Sequence, residues 1–179
     1  MAALLRGPDD MVWVVEPETW PAPPGVRVVS TGQLVQMVAD KPAAIRADDP
    51  ECRSLDETDA AEMTALALGT VPGPWGDKTR RYGQFYGVRS GGKLAAMAGE
   101  RMRPAPGLAE VSGVCTWPEF RGQGHAGALI RRVMAGFTAR GDGPFLHSHA
   151  ANTGAIGLYE TLGFKVRRAM VLTVLARAL

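Results

Sequence analysis

The stretch Cys115-Thr116-Trp117-Pro118-Glu119-Phe120-Arg121-Gly122-Gln123-Gly124-His125-Ala126-Gly127 constrains the chain more than any other, because it must be a strand end, a turn and a helix start in succession. The run before it, Glu110 to Thr116, alternates and is β-branched, which predicts a strand. Pro118 has no amide to give a central ladder and ends that strand. After the stretch, Leu129, Ile130, Val133, Met134 and Phe137 recur at helical spacing, and Gly141 stands where a left-handed cap residue belongs. The glycines therefore lie at a helix N-terminus.

Such a terminus leaves backbone N–H groups without intrahelical acceptors and carries partial positive charge, so it suits an anion. Gly122 and Gly124 lack the Cβ atoms that would hold a diphosphate away, and Arg121 adds a cation. The spelling Gly122-x-Gly124-x-x-Gly127 is also that of a dinucleotide-binding turn, but the context fails. Trp117 to Arg121 intervene between strand and glycines, Asp142 precedes the next strand instead of ending it, and too little chain follows for a doubly wound sheet.

A chain of 179 residues, 46% of them hydrophobic, suits one globular domain. A net charge of +2 with no basic tract gives no indication of nucleic acid or an acidic membrane. Two cysteines make no disulfide scaffold, and Cys115 inside a strand reads as a small buried hydrophobe. Without a signal-peptide core or a long apolar run, the expectation is a soluble cytoplasmic protein.

Residues 1–50 read as an arm packing on the same domain, with prolines at 17, 21, 23 and 24, a short strand over Val26 to Ser30 and a brief helix over Gln33 to Ala39. Residues 51–179 read as the catalytic domain. Asp59 and Glu62 suggest a capping pair for a helix over 58–68, closed by Gly69. Trp75, in the loop that follows, either plugs the core or lines a substrate pocket. Phe85 to Val88, Leu94 to Met102 and the strand ending at Thr116 form an antiparallel meander. With a turn at 103–107, Glu100 opposes Glu110, and two adjacent carboxylates make a candidate general base; a register one residue off separates them. Pro144 to Ala150 is a further strand whose His147 and His149 share a face, but no third ligand accompanies them, so no metal is expected. Met170 to Leu175 is a last strand, buried on both faces.

Arg121-Gly122-Gln123-Gly124-His125-Ala126 resembles the coenzyme A signature Arg/Gln-x-x-Gly-x-Gly/Ala of the GNAT (N-acetyltransferase) superfamily. Asn152-Thr153-Gly154-Ala155-Ile156-Gly157-Leu158-Tyr159-Glu160-Thr161-Leu162-Gly163-Phe164 is similar to that family's second signature, apart from Gly157, where a longer helix former is usual. The resemblance implies an α/β (α+β) fold: a mixed, mostly antiparallel sheet, helices on both faces and a splayed strand pair holding acetyl-coenzyme A. It implies direct acetyl transfer to a primary amine of a small molecule, amino acid or peptide, by a monomer or homodimer; the alternative is a non-catalytic acyl-coenzyme A sensor. In that frame Val114, Cys115, Thr116, Arg121 to Ala126, Asn152 and Tyr159 contact the donor. Tyr159 protonates the departing thiolate, and Glu110 first or Glu100 second acts as base. Trp75, Tyr86 and His149 face the acceptor.

Overall fold

The computed structural model describes residues 2–7 and 9–178. Eight strands, β1 (Met11–Glu16), β2 (Val26–Val38), β3 (Arg53–Leu55), β4 (Phe85–Ser90), β5 (Lys93–Glu100), β6 (Leu108–Thr116), β7 (Gly143–His149) and β8 (Lys165–Arg177), form one sheet in the order β1-β8-β2-β7-β6-β5-β4-β3. The helices are α1 (Ala60–Thr70), α2 (His125–Ala139) and α3 (Thr153–Thr161). This mixed, mostly antiparallel architecture is the fold class expected from the sequence. By contact density the chain divides into two compact units. One comprises residues up to Met37, His147–Ile156 and residues from Val166; the other comprises Val38–Leu146 and Gly157–Lys165.

In the first unit β1 pairs antiparallel with β8, from Met11↔Ala176 to Glu16↔Val171. Leu34, Met170, Leu172 and Val174 form one buried cluster, and Leu5, Val26 and Leu175 another. The expected helix over Gln33 to Ala39 is instead the second half of β2. Leu34, Val35 and Val38 suit one side of a helix, but β-branched residues suit a strand as well, and pairing within the sheet decides. The last strand also begins earlier than expected, at Lys165, because backbone pairing extends its polar end.

In the second unit β3, β4, β5 and β6 form an antiparallel meander. Phe85 opposes Gly99, so both point to one face, where Leu55, Met63, Leu66, Ala67, Leu94, Met97 and Cys115 enclose Phe85 beneath α1. Tyr86 points to the other face, under the Arg132 guanidinium of α2, 4.5 Å from its ring centre. Helices therefore cover both faces of the meander. The start of α1 departs from expectation: Asp56 and Asp59 close a capping box on a short 3-10 turn, while Asp59 and Glu62 both take Arg89. Its end departs too. Gly69 lies inside the helix, and Val71 is the left-handed cap residue, φ 49°.

Candidate active site

β6 is the strand on which the site is built. Among the described residues it pairs parallel with β7 at Leu108↔Gly143, Ala109↔Pro144 and Glu110↔Phe145, and then runs on through Thr116. On its other edge the register to β5 slips between Gly99↔Ser112 and Met97↔Cys115, a bulge at Gly113, φ 61°. A Cβ there would come 2.8 Å from the Phe85 ring and 3.7 Å from Trp75. Trp117 N–H donates to Ala95 O, so by strand alternation the Cys115 amide faces β5 while the Val114 and Thr116 amides face away, beyond the end of the β7 ladder.

The chain then turns through Pro118–Phe120 into the glycines. Gly122 and Gly124 have φ 75° and 77°, which glycine adopts without steric cost. A Cβ on either would project into open space, with no atom within 4 Å. Gly124 precedes α2, whose first intrahelical bond runs from Ala128 N–H to Gly124 O. The amides of His125, Ala126 and Gly127 therefore lack helical acceptors. This cradle of amides and empty Cβ positions, with Arg121 exposed beside it, fits a diphosphate. His125 differs from its neighbours: both ring nitrogens are buried without a hydrogen-bond partner, so only its backbone is disposed toward an anion.

Tyr159 lies on α3, its ring packed edge-on to Phe164 with centroids 6.1 Å apart. Burial pushes its phenol above the ordinary value of 10.0, so it holds its proton. Asn152 caps the same helix, its Oδ1 accepting the Ala155 N–H at 3.2 Å.

The expected carboxylate pair is absent. Glu100 opposes Val111, and Glu110 exchanges backbone bonds with Arg101 and Met102, so the two glutamates project from opposite faces. The irregular turn after Glu100 supplies the one-residue difference. Both side chains are 1% exposed. Glu100 joins Arg103 and Arg140 at the C-terminal end of α2. Glu110, on the Phe85 and Trp75 face, is held by both nitrogens of the Arg101 fork, at 2.9 and 2.6 Å. The two carboxylates therefore do not face one another across the β5–β6 ladder.

Seen against solved structures, the chain is 61% identical to a protein from Novosphingobium aromaticivorans assigned to the GNAT family of acetyltransferases. The match covers 99% of this chain and 79% of that one, with a TM-score of 0.92. The chain belongs to the GNAT acetyltransferase family. A family model described as FR47-like protein matches residues 85–172. A GNAT acetyltransferase from Colwellia psychrerythraea shares the fold at 14% identity and a TM-score of 0.67, covering 90% of this chain and 63% of that one. The ribosomal-protein-S18-alanine N-acetyltransferase of Escherichia coli does so at 23% and 0.57, covering 71% and 92%. No curated protein matches.

Within this GNAT frame, the remaining residues expected from the sequence are distributed unevenly. Trp75 does the first of the two things open to it and packs on the core. It packs on Phe85 at 5.6 Å, donates to Thr64 Oγ1 at 3.3 Å, and also stands beside the Gly113 bulge. Tyr86 does not join it, because the two lie on opposite faces of the sheet. Cys115 is buried, its thiol pushed up to about 12, which makes it inert. Arg167 can only donate, so Gln36 turns its Oε1 to Arg167 and its Nε2 to His147 Nε2, which accepts and is unavailable as a base. His149 is exposed at the end of β7. Among the described residues no group of three or more His, Cys, Asp or Glu could hold a metal ion, and no helix is long and apolar enough to cross a membrane. The Gly113 bulge escaped the sequence reading, although a glycine interrupting an alternating strand is the signal for one.

Proposed function

We propose that the protein transfers an acetyl group from acetyl-coenzyme A directly to a primary amine. The single observation that carries this reading is the short β6–β7 ladder, which leaves the Val114 and Thr116 amides facing away from β5 just ahead of the glycine cradle. Those amides would hold the donor's amide-bearing arm, and the amides from Gly122 to Ala126 its diphosphate. The amine attacks the thioester carbonyl, a new N–C bond forms and the C–S bond breaks. Tyr159 gives its proton to the departing sulfur, and Glu110, on the Trp75 face, takes the ammonium proton through water. Glu110 is the first choice of base and Glu100, paired with Arg103 and Arg140, the second. Asn152 holds the first turn of α3 for the donor. Trp75 would border the acceptor.

Thiol release from acetyl-coenzyme A over a panel of small-molecule, amino-acid and peptide amines tests the assignment. Turnover with at least one amine supports it. Tight binding of acetyl-coenzyme A with no turnover on any amine would establish a sensor instead.

A further inference from the structure

The Trp117–Phe120 turn is clamped from two sides. From α1, a Cβ at Gly69 would fall 2.5 Å from Cη2 of Trp117, so the indole occupies the space that a side chain at 69 would need. The tryptophan is packed against the cluster of Leu55, Met63, Leu66 and Phe85. From β5, the Lys93 ammonium sits 4.8 Å from the Trp117 ring centre and 5.7 Å from that of Phe120, and it pairs with Glu119 at 2.7 Å. One cation therefore touches three of the four residues of the turn, and Arg121 and the glycines follow directly.

An exposed ion pair alone contributes little, but a cation held over two rings and a carboxylate at once fixes three side chains in one arrangement. The glycine loop has no side-chain cap of its own, since Gly124 cannot supply one. The loop is tied to the turn before it by the Arg121 N–H, which donates to Pro118 O at 3.2 Å.

We infer that Lys93, with Gly69 as the socket for Trp117, is a positioning residue for the diphosphate of the donor. This rests on the donor reading given under Proposed function. Because Gly69 belongs to the last turn of α1, the loop carrying Trp75 and the loop carrying Gly122 and Gly124 are anchored on the same turn of helix. A change in that socket moves donor affinity without touching any group that contacts the donor.

The experiment is calorimetric titration of the full chain with free coenzyme A, which needs neither an acetyl group nor an acceptor, alongside thermal unfolding. Lys93→Met keeps the apolar stem and removes the cation; it should weaken coenzyme A binding about fivefold to tenfold while leaving kcat at saturating donor unchanged. Lys93→Arg should bring affinity back to within about twofold, since a guanidinium keeps the positive charge, stacks on aromatic faces and pairs with a carboxylate. Gly69→Ala should weaken binding by more than Lys93→Met. If the unaltered protein does not bind coenzyme A, the donor reading itself fails. If it binds and Lys93→Met binds equally well, the positioning role is overturned; a fall in kcat matching the fall in affinity also overturns it.

Discussion

Arg101 and Glu110 form a two-pronged ion pair, Nε to Oε2 at 2.9 Å and Nη2 to Oε1 at 2.6 Å, with the glutamate buried in the face that carries Trp75. Removing only the arginine leaves a buried carboxylate without its main counter-charge. Arg101→Leu should therefore destabilise the fold by about 3–5 kcal/mol at neutral pH, read by urea denaturation. The double change with Glu110→Leu should recover most of that loss, because the apolar pair leaves no uncompensated charge.

Tyr159→Phe keeps the ring packing on Phe164 and deletes only the hydroxyl. A fall of about 10²-fold in kcat with unchanged coenzyme A affinity is expected, in line with the usual contribution of a positioned acid. The phenol is held above 10.0, so no alkaline loss of rate should arise from it below that pH. Unchanged turnover would remove the residue from the proton path.

The Cys115 thiol, about 12 when folded against 9.0 in the open chain, ties stability to alkaline pH. Its folded pKa is raised, so the full contribution is present below pH 9 and is lost as pH climbs toward 12. Over that window the slope from this group is about 1.4 kcal/mol per pH unit. Denaturation curves at pH 8 and 10.5 should show a smaller loss for Cys115→Ala than for the unaltered chain.

Gly122 and Gly124 both have positive φ and open space where a Cβ would go. Alanine at 124 costs about 1–2 kcal/mol of backbone strain and places a methyl group in the cradle. Gly124→Ala should weaken coenzyme A binding at least about tenfold while lowering stability by no more than that strain. Calorimetry and denaturation on the same preparation separate the two effects.

The parts legible in the sequence were those whose geometry is fixed locally. The helix led by Gly124, the cap at Gly141 and the N-cap Asn152 depend on glycine conformation, helical spacing or a cap within a few residues. What was misread depends on partners far away in the chain. β2 looked half helical because Leu34, Val35 and Val38 satisfy either period, and sheet pairing settles the matter. β3 is only three residues long and carries no pattern of its own. The relation between Glu100 and Glu110 turned on a single residue of register beside an irregular turn, and one residue reverses the face of every side chain beyond it. Tyr86 was expected beside Trp75 at the acceptor, but within β4 it points away from Phe85, on which Trp75 packs, and lies under Arg132.

β6 is laddered to β5 as far as Thr116, whereas on its β7 edge the pairs among the described residues are those of Leu108, Ala109 and Glu110, so its amides are unequally protected along its length. Glu110 is held on both sides, by Arg101 and Met102 on one edge and in register with Phe145 on the other, whereas the amides of Val114 and Thr116 should exchange faster with solvent. A molecule seated there would serve as a missing strand, so hydrogen exchange at those two amides reports occupancy of the site without any chemistry taking place.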